Sequence, residues 1–125
     1  MATAAWPALA KIRADGGDYK SADDLFREHH GVVALPHLAS STDTTELERT
    51  VATDPRNYAA GFELYEQQRT KGDLAGALST VRHFTSLPGS PGYFNYLEGE
   101  AWFAQRDYER AWKAYSRLLE MRTER

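Results

Sequence analysis

Tyr93–Met121, YFNYLEGEAWFAQRDYERAWKAYSRLLEM, reads as two amphipathic helices in succession with Arg106-Asp107 at the joint. In the second helix Tyr108, Ala111, Trp112, Tyr115, Leu118 and Leu119 recur at steps of three and four residues. That spacing is one stripe of a helix with 3.6 residues per turn, and charged side chains fill the opposite side. An aspartate directly after the joint is a residue that accepts the free N–H groups at the start of the following helix.

The layout is internally repeated. At a distance of 34 residues, Asp73, Ala77, Phe84 and Leu87 stand in the places of Asp107, Ala111, Leu118 and Met121. Nearer the start, Gly17-Asp18-Tyr19 and Ala22 match Gly72-Asp73-Leu74 and Ala77, offset by one such period plus an insertion. Ala22, Ala77 and Ala111 are small residues where two helices of a hairpin would approach. Gly17 and Gly72 suit the left-handed conformation that ends a helix, a place taken in the last copy by Arg106.

A period of 34 residues, helix-turn-helix units and a recurring pattern of large and small side chains resemble the tetratricopeptide repeat. The resemblance rests on Trp6, Leu9, Ala10, Gly17, Asp18, Tyr19, Ala22 and Phe26 in the first copy. Leu64, Gly72, Asp73, Leu74, Ala77, Val81 and Phe84 carry it in the second, introduced by Asp54-Pro55-Arg56-Asn57. In the third it rests on Gly99, Trp102, Asp107, Tyr108, Ala111, Tyr115 and Leu118. Tyr65 departs from the family, which prefers a small residue there. The fold this implies is an all-α, right-handed solenoid of about seven helices in a single domain spanning 1–125. Its repeats cover about 3–30, 58–87 and 92–121, with a loop and a single helix inserted at 31–54. Trp6, Leu9, Tyr19, Ala22, Leu25 and Phe26 are its expected core in the first hairpin.

Within the insertion, Gly31–Ser41 carries Val32, Val33, Leu35 and Leu38 around Pro36, so it is a loop with apolar surface to bury. Asp43, with Glu46 three residues on, is a variant capping box that predicts a short helix over Thr44–Thr53, with Leu47, Thr50 and Val51 inward.

In tetratricopeptide repeats the first helix of each hairpin lines a concave surface. Matching positions give Pro7 and Lys11, then Phe62, Glu66 and Arg69, then Tyr93, Tyr96, Glu100 and Phe103. The resemblance thus implies a non-catalytic interaction or scaffolding module, seating a peptide or helix that has an apolar anchor and a basic residue. The alternative is a structural or self-associating domain of a larger protein, its groove unused. Capture of a chaperone's terminal carboxylate is disfavoured, because Glu66 and Glu100 would repel it. At the end of the row, Trp112 and Leu119 share an edge that a further repeat would cover. A second copy of the protein, forming a homodimer through the last helix, or additional sequence, is expected there.

Composition narrows the function classes. A net charge of −3 without a basic stretch gives no nucleic-acid footprint. No apolar run approaches the length of a membrane span and no basic-then-apolar leader opens the chain, so neither membrane insertion nor secretion is expected, and the cytoplasm is the expected location. With no cysteine, thiolate metal sites and cysteine nucleophiles are excluded. His29, His30, His37 and His83 lack metal-ligand spacing, and no triad, carboxylate pair or phosphate-cradling glycine loop accompanies them. No cofactor and no enzymatic activity are therefore expected.

Overall fold

The computed structural model describes residues 5–30 and 43–123, and among them are seven α-helices and no strand. They are α1 (Ala5–Asp15), α2 (Tyr19–His29), α3 (Thr44–Thr53), α4 (Tyr58–Thr70), α5 (Leu74–Thr85), α6 (Tyr93–Ala104) and α7 (Tyr108–Thr123). The loop at Gly31–Ser41, with His37, lies outside the described residues.

Three of the joints are built the same way. Gly17, Gly72 and Arg106 adopt φ of +88°, +83° and +62°. The N–H of the following aspartate then donates back across the turn, Asp18 to Arg13, Asp73 to Gln68 and Asp107 to Trp102, at 2.8, 2.9 and 3.0 Å. This is the helix-ending motif that satisfies an orphan carbonyl of the last turn. The same aspartates open the next helix, their carboxylates accepting from the backbone N–H of Ser21, Gly76 and Arg110. Two residues thus close one helix and start another, which explains why the Asp positions carry the period. Asp43 caps α3 through the Thr45 N–H at 3.2 Å.

The chain divides into two compact units, Met1–Val33 with Gly99–Arg125, and Ala34–Glu98, the division falling inside α6. In the second of these, α4 packs on both α3 and α5. Phe62, Tyr65, Ala77, Val81, Phe84, Phe94 and Leu97 form its core, with Phe84 stacked on Phe94 at 4.7 Å. Tyr65 fits because the small residue sits one turn earlier: a Cβ on Gly61 would run into the ring of Phe84. Leu47, Ala60 and Leu64 make a smaller cluster under α3, with Val51 against it. The turn before α6 is fixed by Gly89 at φ +79° and by the buried Ser90 hydroxyl, which donates to the Phe84 carbonyl at 2.5 Å.

In the other unit α1 packs on α2, and both pack on α7. The first hairpin is therefore seated on the last one. Phe26, at the centre of α2, is fully buried and stacks on Tyr115 of α7 at 4.3 Å, nearly parallel. A Cβ on Gly99 would meet that same tyrosine ring from the α6 side. Two expectations change as a result. Trp112, expected on an uncovered edge, is only 9% exposed and Leu119 is half-buried, in a unit where α1 and α2 both pack on α7. Leu9, expected in the core, is 39% exposed, and Ala10 and Ala14 are the buried residues of α1 instead.

Two substitutions test this packing. Gly61→Ala should cost about 1–3 kcal/mol through overpacking against Phe84. Arg106→Gly should gain up to about 1 kcal/mol by relieving the left-handed arginine. Denaturant melts read both, and a neutral Gly61→Ala would contradict the close approach of α4 and α5.

Candidate functional site

The surface residues expected from the repeat pattern separate between the two units. Phe62, Glu66, Arg69, Tyr93 and Tyr96 belong to one, and Lys11, Glu100 and Phe103 to the other.

In the unit containing α4, Phe62 is a core residue at 3% exposure, which places it in the wall and not on the open surface. Tyr93 meets it edge-on at 5.8 Å, and Tyr93 and Tyr96 are half-buried against the same cluster. Partial burial pushes the Tyr93 phenol above its usual value, with the Tyr58 phenol adding to the effect. Glu66 is not a free acid: Arg69, one turn on, reaches it at 3.2 Å, and that bond raises the guanidinium's pKa further. The same unit holds an open cleft of about 540 Å³ between α3 and α5, with Leu64 and Gln68 of α4 among its lining. Thr80 donates to Gln68 across it at 2.7 Å, and His83 Nε2 lies 3.1 Å from the Pro55 carbonyl. Nothing in the sequence pattern marks this cleft, whose lining comes from three successive helices, α3, α4 and α5.

In the unit containing α7, Lys11 is exposed on α1, while Glu100 and Phe103, three residues apart on α6, converge on one side chain of α2. Arg27 lies over the Phe103 ring at 4.0 Å and reaches Glu100 at 3.5 Å. Glu100 also accepts a hydrogen bond from the Tyr115 hydroxyl. Burial first, then this bond, hold the Tyr115 phenol in its protonated, donating form well above the usual range. Phe103 in turn packs edge-on against Tyr108 at 5.3 Å, and Lys20 of α2 stands 5.9 Å above the Tyr108 ring. The outcome is a ladder of cations from α2 set against aromatic rings and one carboxylate of α6 and α7. Glu100 and Phe103 were expected at a groove from the resemblance alone; Arg27 was not expected there, because no periodicity within one repeat reveals which other helix will lie upon it.

His29, His30 and His83 are packed against rings. His29 stacks on Trp6 and His30 on Phe26, which sends the two neighbouring imidazoles to different aromatic partners. Among the described residues no group of three or more His, Asp or Glu side chains could hold a metal ion, and no helix is long and apolar enough to cross a membrane. No protein-family model matches the chain, and no significant match is found among curated proteins.

Arg27 and Glu100 are 39% and 29% exposed at their side chains, so their ion pair is screened by water. A double-mutant cycle with Arg27→Ala and Glu100→Gln should therefore give a coupling of only about 0.5–1 kcal/mol. Strict additivity of the two losses would show that the pair does not form in solution.

Proposed function

We propose that this chain is a non-catalytic protein-interaction or scaffolding module built of tetratricopeptide-like repeats in a right-handed solenoid. Its partner would be a helical or extended protein segment presenting an apolar anchor beside a basic residue, met inside the cell. The observation that carries this reading is what α6 and α7 hold already. Phe26 and Arg27 of α2 are an aromatic anchor and an adjacent cation, bound by Tyr115 on one side and by Glu100 and Phe103 on the other. The chain's own helix thus serves as an example of the ligand chemistry that this surface accepts. An aromatic pocket with one carboxylate supplies both an anchor site and a charge preference.

The same observation gives weight to a second reading. A surface filled from within fits a structural or self-associating domain whose groove takes no further partner.

A peptide array probed with the full chain separates the two. The interaction reading predicts bound sequences with Arg or Lys next to Phe, Tyr or Leu. Arg27→Ala removes an internal competitor worth about 0.5–1 kcal/mol, so it should tighten such binding by about two- to fivefold. Binders dominated by acidic sequences would overturn the interaction reading, and the absence of binders to either protein would favour the structural one.

A further inference from the structure

Asp23 lies on α2 three residues before Phe26 and is completely buried. Among the described residues, neither of its carboxyl oxygens has a hydrogen-bond partner. A carboxylate in that position would carry a charge into an apolar contact with nothing to satisfy it, which is among the more costly arrangements in a protein interior. The groups able to offset the charge are committed elsewhere. Lys20, one turn earlier on α2, donates to Asp24 at 2.9 Å. Arg27, one turn later, is held outward by Glu100 and the Phe103 ring. From α7 the titratable group near Asp23 is Tyr115, whose hydroxyl donates to Glu100. On α1 the buried residues are Ala10 and Ala14, while Lys11, Arg13 and Asp15 are exposed.

We infer that Asp23 is the release point of the first hairpin: loss of its proton undocks α2 from α7 and uncovers the Glu100, Phe103 and Tyr115 surface. The inference rests on the interaction reading for the function of that surface, though not for the release itself. Burial, reinforced by the neighbouring charge of Asp24 and only partly countered by Arg27 and Lys20, pushes the Asp23 carboxyl from the ordinary 3.8 up to about 8. The sign follows from the proton count. The docked state holds a proton that the undocked state has lost, so docking is at full strength below the ordinary carboxylate range and weakens as pH rises towards 8. Over that interval the docking equilibrium falls by about tenfold per pH unit. At neutral pH the hairpin remains docked, with release a step away.

Trp6 of α1, packed against Phe26 and His29, and the buried Trp112 of α7 report on the contact. The experiment follows tryptophan fluorescence and near- and far-ultraviolet circular dichroism of the full chain from pH 6 to 9.5. In parallel it measures binding of a peptide of residues 18–30 carrying Asp23→Asn, which brings Phe26 and Arg27 without the titrating acid. The expected result is a reversible, partial loss of tryptophan packing centred near pH 8 with helicity retained, and peptide binding roughly tenfold tighter at pH 8.5 than at pH 6.5. In Asp23→Asn, and in Asp23→Leu should the amide variant fold poorly, both changes should vanish. A transition that persists in both variants, or its absence from the parent chain, overturns the inference. A transition that depends on Asp23 without peptide capture upholds the release and overturns the interaction reading.

Discussion

The stacking of Phe26 on Tyr115 is the contact on which one half of this molecule depends. Both rings are fully buried, and each is touched from a second side, Phe26 by Trp6 and His30 and Tyr115 by the bare backbone at Gly99. Burying two such rings contributes several kcal/mol, of the order of 2–3 for each, and their parallel contact adds up to about 1.5. Around this stack lies the polar ring of Arg27, Glu100 and the Tyr115 hydroxyl, individually weak because it is partly wet. Hydrophobic contact therefore supplies the strength and the charges supply the register. Asp23 works against both, since its burial beside the stack is uncompensated. The docking of α2 combines a strong apolar centre with one built-in weakness.

Much of the local structure was legible from residue types alone. The aspartates at 18, 73 and 107 fix the positions of three helix starts because a cap needs a short acceptor, and each is preceded by a residue in the left-handed region. Arg106 shows how far the turn chemistry extends: the conformation survives the loss of glycine because hydrogen bonds from Arg106 and Asp107 to the end of α6 hold it. The single helix over Thr44–Thr53 was equally readable from Asp43. Tyr65 looked like an obstacle to close packing, and Gly61 one turn away resolves it, an exchange of large and small that only the paired helix makes visible.

What the sequence could not carry was the identity of long-range neighbours. A repeat pattern assumes that units stack in the order in which they are written, which left Trp112 without a cover and Leu9 in the core. In the structure Trp112 is buried and Leu9 is exposed, and α7 is packed by a hairpin written some eighty residues earlier. The candidate site was affected in the same way. Glu100 and Phe103 were expected from the resemblance to face a groove, yet the side chain that lies against them, Arg27, belongs to α2. Phe62 had the right spacing too, and its burial in the core shows that periodicity finds a helical face without saying whether that face is wet.

α2 is seated on α7 through Phe26 and Tyr115 and on α6 through Arg27. Nuclear Overhauser contacts between the ring protons of Phe26 and Tyr115, recorded on selectively labelled protein near pH 6.5, test this seating most directly. Ring centroids 4.3 Å apart require strong cross-peaks between Phe26 and Tyr115, together with cross-peaks from Gly99 to Tyr115. Their absence, with Phe26 instead showing contacts to residues of α4 or only to solvent, would contradict the account.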